Sequence, residues 1–506
     1  MAFFSPNRRP ARLRATLLSV AATQALAACT MIPTYHRPKP PLAQNWPAYE
    51  KTGDITTNQV ASDIGWKDFF IDPRLQALIA IAIRENRDLR SAAASVAEAQ
   101  GQYDVQHAGL FPAISTTGNA MYMQPSETAG LSFAPGLEAG KNPGTFRFYQ
   151  GGIGFSSYEI DLFGRIRSLT RQSAENAFSQ VTNVRSVLIS VVSQVAIAYI
   201  TWLGDRDLLA VAEQTLASQQ ETLRLTQNKF RNGEADMLTV RQAETQVEQS
   251  AGLRAEATRK VEQDENLLAL LIGAPLPATL PAPLPLGQQT TLADLPAGLP
   301  SDLLENRPDI VSAEHALLAA QANIGAARAA FFPRITLTAT DGLSSLQFHK
   351  LFTSAATTWG LNPSLQIPIW TWGQNSGNLA ASKAQRDSKV VTYEKTVQTA
   401  FREVADALAA RKAYLDEKRQ ADALTVSAAD AYRLAKLRFD AGTDSYLTTL
   451  DSQRYYLQAQ QNQITVSVSK YQNLVTIYRS LGGGWKDHTP APTGQAPAAA
   501  PTPQAG

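Results

Sequence analysis

The feature that most constrains this chain is an internal repeat whose two copies keep the same spacing. Phe230-Arg-Asn-Gly-Glu-Ala-Asp-Met-Leu238 returns as Phe439-Asp-Ala-Gly-Thr-Asp-Ser-Tyr-Leu447, 209 residues later. Upstream, the ENR segment that starts at Glu85 returns at Glu305, and each copy leads to a Phe-Pro pair, Phe111-Pro112 and Phe332-Pro333. Each then reaches an aromatic-glycine pair, Phe163-Gly164 and Trp372-Gly373. From Gly164 to Gly233 and from Gly373 to Gly442 the interval is 69 residues in both cases. A chain built this way folds as two units of one design, here helix, strands, long helix, turn, long helix.

The long stretches carry a seven-residue apolar period. Val181, Leu188, Val195, Trp202, Leu209, Leu216, Leu223 and Phe230 follow it, and Val240, Val247, Val261 and Leu268 resume it with Arg254 as the exception. Leu450, Leu457, Ile464, Tyr471 and Tyr478 repeat the habit in the second half. This is a coiled-coil seam, narrower than the stripe of an ordinary globular helix. At about 1.5 Å per residue each rod reaches roughly 100 Å. Gly233 and Gly442 stand where such a rod must stop and reverse, because glycine enters the left-handed region without steric penalty. Asp236, and Thr443 or Asp444, are the expected caps of the returning helices. Each half therefore reads as an antiparallel helical hairpin whose tip turn contains Phe230 and Gly233, or Phe439, Gly442 and Asp444.

Between helices the pattern changes to alternation. Ile114 to Met123 and Phe146 to Tyr158 are two strand candidates, separated by a Gly- and Pro-rich loop from Pro125 to Gly144. Arg334 to Thr340 alternates apolar with hydroxyl side chains, and Leu361, Leu365, Ile367 and Ile369 share a parity before Trp372. Each has room for the roughly 9 to 11 residues of a tilted membrane strand. Four strands cannot close a barrel, and lipid does not tolerate an open edge, so strands that cross a membrane here require several copies of the chain. A small soluble sheet is the other reading of the same alternation. No run of 18 apolar residues occurs in the mature chain, so a membrane-spanning helix is not expected.

The N-terminus has Arg8, Arg9, Arg12 and Arg14, then a short apolar segment from Ala15 to Ala28. That is the plan of a secretory signal peptide. It ends in Leu26-Ala-Ala-Cys29, which resembles the bacterial lipobox, and Cys29 is the only cysteine. An exported lone thiol cannot form an internal disulfide, so lipidation at Cys29 accounts for it. Thr30 stands where an aspartate would mark inner-membrane retention, so this resemblance implies the outer membrane. A net charge of +2, with no basic block interleaved by aromatics, argues against nucleic acid as a partner. The Pro-, Ala-, Thr- and Gln-rich tail after Trp485 reads as disordered.

Four segments carry a family resemblance: Gly298 to Ile310 with its Glu-Asn-Arg-Pro-Asp core, Ala330-Phe-Phe-Pro-Arg-Ile-Thr-Leu337, Phe439 to Arg454, and Leu481-Gly-Gly-Gly-Trp485. Together they resemble the outer-membrane efflux lipoproteins, the NodT or OprM branch of the TolC-like channels, over nearly the whole mature chain. The resemblance implies a mainly α protein with a transmembrane β-barrel portion: a homotrimer in which each chain gives four strands to a twelve-stranded barrel. The hairpins would form a periplasmic α-barrel. Implied partners are a periplasmic adaptor (membrane fusion protein), an inner-membrane pump, and outer-membrane lipid through the acylated N-terminus; no cofactor or metal is implied. Leu447 and Asp451 match positions that narrow the closed periplasmic tip, and Arg454 matches a partner in its polar contacts. A three-fold axis would turn Asp451 into a ring of carboxylates. In the repeat register Asp451 and Arg454 face Gln242 and Thr245, so these charges belong to the second hairpin alone. Phe439 stands where a relative has tyrosine.

The expected division is a leader over 1–28, an equatorial segment over 29–72, helices over 73–111, strands over 112–163 and the first hairpin over 164–273. A linker over 274–305, a helix over 306–331, strands over 332–372, the second hairpin over 373–482 and a tail over 483–506 complete it. An enzyme is not expected, since His36, His107, His315, His349 and His488 are scattered without metal spacing or a nucleophile motif. A periplasmic adaptor or a structural coiled-coil lipoprotein is the alternative class. Neither explains the duplicated strand pairs behind Phe-Pro.

Overall fold

The computed structural model describes residues 30–39, 61–124, 145–289 and 307–489. The leader and Cys29, the loop from Pro125 to Gly144, most of the linker after Gln289 and the tail after Thr489 lie outside the described residues. In chain order the main elements are α1 (Trp66–Phe69), α2 (Pro73–Glu85), α3 (Arg87–Ala108), β1 (Ser115–Met123) and β2 (Phe146–Ile160). Then come α4 (Arg165–Arg231), α5 (Met237–Ile272), α6 (Pro308–Ala329), β3 (Arg334–Ser345), β4 (Thr357–Gln366), α7 (Gln374–Asp440) and α8 (Tyr446–Ser480). The repeated helices α4 and α7 are both 67 residues long.

The chain divides into two compact units. Of the described residues, one comprises those within 30–38, 97–179 and 314–392, and the other those within 61–96, 180–313 and 393–489.

The first unit contains a four-stranded antiparallel sheet of order β1-β2-β3-β4. Register sorts its side chains, because directly opposed residues share a face. Trp359, Leu361 and Leu365 of β4 oppose Asp341, Ala339 and Ile335 of β3. The same row continues in β2 with Ile153, Phe155 and Ile160. The other face carries Thr358, Asn362, Ser364 and Gln366 opposite Gly342, Thr338, Thr336 and Arg334. Across β3, β4 and the adjoining part of β2 one face is thus mainly apolar and the other polar, whereas at the far end of β1 and β2 the polar side carries Met121 and Met123 opposite Phe148 and Phe146. Trp359, Leu361 and Leu365 stay more than half exposed in the single chain.

An irregularity in β2 maintains this sorting. Between Phe155 and Tyr158 the register shifts, Ser157 adopts φ 54°, and its N–H donates to the Thr338 hydroxyl at 3.1 Å. The extra residue reverses the parity, so that Tyr158 and Ile160 rejoin the apolar row. At the far end, Ile367 and Ile369 lie beyond β4, which stops at Gln366. Pro368 between them has no N–H for a ladder.

Two further features mark this unit. Residues 30–38 lie along α6: Gln321 Nε2 donates to the Pro33 carbonyl at 2.8 Å. Arg37 and Tyr35 both reach the Glu314 carboxylate, at 2.6 and 2.9 Å. The aromatic-glycine pairs of the repeat behave differently: Phe163 stacks on Phe332 at 4.8 Å, whereas Trp372 is 90% exposed with φ 50°.

The second unit holds the main core. Val191, Val195, Tyr199 and Leu203 of α4 join Leu268 of α5, Tyr393, Val397 and Val404 of α7, and Leu474, Val475 and Tyr478 of α8. Trp66, Phe69, Leu75 and Leu78 close it from the N-terminal side. Tyr478 stacks on Phe69 at 4.0 Å and donates its hydroxyl to the Ile64 carbonyl at 2.6 Å. Asp72, fully buried, caps α2 through Arg74 N at 2.8 Å. Its other oxygen accepts from Tyr199 Oη, Leu284 N and Gln289 Nε2 at 2.8, 3.0 and 3.0 Å.

Two sequence expectations change here. The seven-residue seam of α4 buries Val195, Trp202 and Leu216, but Val181 and Phe230 at its ends are 44% and 38% exposed. Part of α4 is also apolar enough by composition to cross a membrane, although the sequence has no uninterrupted apolar run of that length. Interspersed Ser and Gln break the run. Most of this stretch is buried in protein, so it is a core helix rather than a lipid-facing one.

Candidate functional site

The two hairpin turns have the same backbone. Gly233 has φ 78° and Gly442 φ 74°. Gly233 N donates to the Phe230 carbonyl at 3.0 Å and Glu234 N to Lys229 at 2.9 Å. Gly442 N and Thr443 N repeat these bonds with the Phe439 and Arg438 carbonyls, both at 3.0 Å. These paired bonds are the Schellman closure, which satisfies helix-terminal carbonyls and requires the left-handed residue that glycine supplies.

The side chains then diverge. Asp236 caps α5, accepting from Thr239 N at 2.8 Å and the Thr239 hydroxyl at 2.6 Å. Those two donors hold its carboxyl below the usual carboxylate range. In the second hairpin the N-cap is Ser445, with no side-chain cap bond, which corrects the assignment of Thr443 or Asp444 to that role. Asp444 is taken instead by Arg438 in a bidentate pair, 2.7 and 2.9 Å, and this guanidinium lowers its pKa. Thr443 donates its hydroxyl to the Arg438 carbonyl at 2.8 Å.

A small apolar cluster sits just behind the turns, formed by Ala243, Tyr446 and Leu450 with Leu223 and Phe439 packed on it. Phe439 tilts against Tyr446 at 5.5 Å. Lys229 Nζ lies 4.8 Å over the Phe439 ring. The ring thus meets a cation by its face where a tyrosine would offer a hydroxyl. Leu450, not Leu447, fills the seam: Leu447 is 56% exposed and its repeat mate Leu238 is 65% exposed. Asp451 and Arg454 are exposed on α8. Phe230 remains partly exposed, outside the cluster.

Lys229, Arg438 and Tyr446 were not singled out from the sequence. A signal for the first two existed, because both stand four residues before a turn glycine. Farther from the turns, Asp422 of α7 is bonded by Lys418 and by Gln463 of α8, the latter at 2.6 Å. Burial works against its ionisation, but these donors prevail and its pKa is lowered.

These pieces define a class: a channel subunit that supplies part of a membrane sheet together with paired helical hairpins. The outer membrane efflux protein family matches residues 78–274 and again 299–483, one match per repeat. The toluene efflux pump outer membrane protein TtgC of Pseudomonas putida is 42% identical over 478 residues, covering 94% of this chain and 96% of that protein. The antibiotic efflux pump outer membrane protein ArpC of Pseudomonas putida matches to the same extent, 42% over 478 residues, with 94% and 96% covered. Among solved structures, the open state of the Neisseria gonorrhoeae MtrE outer membrane channel superposes with a TM-score of 0.82 at 36% identity, covering 92% of this chain and 100% of that one. The chain belongs to the outer membrane efflux protein family. It is an outer-membrane efflux channel of TolC-like fold.

Proposed function

We propose that three copies of this chain form the exit duct of a tripartite efflux pump, receiving cargo from an inner-membrane transporter through a periplasmic adaptor. The observation that supports this most directly is the sheet. Among the described residues β1 and β4 each have a single neighbour, and across β3 and β4 one face is mainly apolar and the other polar. Lipid accepts such a sheet only when its edges are joined. Edge-to-edge joining of three copies gives a closed barrel with an apolar exterior and a polar bore. Acylation at Cys29 would add a lipid anchor to the barrel. Apolar solvents and antibiotics, the cargo in the names of TtgC and ArpC, are the classes to test first.

The hairpin turns form the periplasmic end, with Leu447, Asp451 and Arg454 as its constriction. Their exposure on α8 supports this reading, because a side chain that meets only symmetry copies is exposed in a single chain. Asp451 carboxylates around a three-fold axis would attract cations and be held shut by hydrogen bonds to Arg454. Asp451→Ala and Arg454→Ala are expected to raise the conductance of the purified channel in planar bilayers. Unchanged conductance in both would remove these residues from the constriction. For the duct itself, deletion is expected to sensitise cells to toluene and to hydrophobic antibiotics, and an unheated gel of outer-membrane protein to show a trimer-sized band. A soluble monomer would refute it.

A further inference from the structure

The duplication places a cation four residues before each turn glycine, Lys229 before Gly233 and Arg438 before Gly442. The two are used differently. Lys229 reaches across to the Phe439 ring and so links the first hairpin to the second. Arg438 folds back on its own turn and grips both oxygens of Asp444. The position equivalent to Asp444 in the first hairpin is Ala235, so this grip has no counterpart there.

The consequence falls on α8. In the first hairpin Asp236 secures α5 to its own first turn. In the second, Ser445 makes no cap bond, and its hydroxyl faces only the Thr448 hydroxyl at 3.3 Å. The first N–H groups of α8 therefore lack the side-chain acceptor that normally pins a helix start. Tyr446 packs on Phe439 and the Thr449 hydroxyl donates to the Ala435 carbonyl at 3.3 Å, and ahead of both the entry to α8 is held by a bond from α7 to the residue just before the cap. A bidentate guanidinium–carboxylate pair sets both separation and plane, so it orients as well as tethers. Leu447 and Asp451 lie in the first two turns of α8, four residues apart and so on one side of that helix, just beyond Asp444.

We infer that the Arg438–Asp444 pair is a positioning element of the closed tip, holding the start of α8 so that Leu447 and Asp451 point into the constriction at rest. The inference builds on the reading of those two residues as the constriction. Its test uses the full-length protein in planar bilayers, with Arg438→Gln, Asp444→Asn, the exchanged pair Arg438→Asp/Asp444→Arg, and Asp451→Ala as reference. Each single neutralisation is expected to raise the open-to-closed ratio about ten-fold, the effect of about 1.4 kcal/mol on a two-state equilibrium. The exchanged pair should return it towards the original value, and Arg438→Lys should fall between. A contact that merely steadies the turn would alter the yield or heat resistance of the trimer without moving the ratio, and that result would overturn the inference. If Asp451→Ala opens the channel while both neutralised variants stay shut, the positioning role fails and the constriction stands. If none of these variants changes conductance in properly assembled trimers, the constriction reading fails and the positioning role with it.

Discussion

Replacing Asp72 by asparagine tests whether one buried carboxylate ties together segments far apart in sequence. Four donors converge on Asp72: Arg74 N on Oδ1, and Tyr199 Oη, Leu284 N and Gln289 Nε2 on Oδ2. An amide retains one acceptor oxygen but turns a donor towards the others. If that oxygen stays with the three-donor side, each of those bonds changes from a charged to a neutral acceptor, a loss of roughly 1 kcal/mol each. The cap to Arg74 N is lost as well, about 1 kcal/mol. Neutralisation relieves part of the desolvation of a fully buried charge, so the net cost is about 3 kcal/mol. Asp72→Ala removes the acceptor from all four donors, of which Gln289 Nε2 alone keeps another, the Leu284 carbonyl at 2.8 Å, and costs about 4 kcal/mol. Equilibrium urea denaturation in detergent micelles, followed by the fluorescence of the buried Trp66 and Trp202, reads both values. Tyr199→Phe supplies the decisive control: alone it should cost about 2 kcal/mol, and in the Asp72→Ala background close to nothing, because its hydroxyl has already lost its partner. An asparagine variant within about 1 kcal/mol of the parent, or additive costs in the double variant, would refute the shared-acceptor account.

Two further outcomes are expected. Asp236→Ala should destabilise the first hairpin by about 1 kcal/mol, whereas Ser445→Ala should be nearly neutral, since only the former removes a cap bond; hydrogen exchange at the starts of α5 and α8 distinguishes them. Burial, and then the neighbouring carboxylate of Asp205, push Asp264 up to about 6 from an ordinary value of 3.8. A carboxyl raised in the folded state binds more protons than in the unfolded one, so its contribution is most favourable at low pH and is lost as pH rises through about 6. Asp264→Asn should therefore stabilise the protein at pH 7 and flatten the pH dependence of the denaturation midpoint between pH 4 and about 7. An unchanged slope would show that this carboxyl titrates normally.

Much of the fold was legible because it depends on period and repetition. The equal 69-residue intervals fixed two rods of one length, and α4 and α7 are each 67 residues. Alternation gave four strands, but not the shift at Ser157, because an inserted residue in a polar run leaves no local signal; only the partner strand reveals it. The cap of α8 was misassigned for a similar reason. Asp444 has the chemistry of a cap, and its diversion to Arg438 depends on a contact that sequence distance alone does not rank. The gathering at Asp72 was invisible, since its partners at 199, 284 and 289 are far along the chain and none belongs to a repeating pattern. Tyr446 looked like one more aromatic beside a turn, yet it is 7% exposed and anchors the apolar cluster behind both tips.

The matched length of α4 and α7 makes each hairpin a ruler for the other. A residue added to one arm alone would displace its turn by about 1.5 Å and swing it by roughly 100°, pulling Lys229 away from the Phe439 ring that it now covers. A change of reach that keeps this contact therefore requires matched edits in the arms of both hairpins, α4 with α5 and α7 with α8.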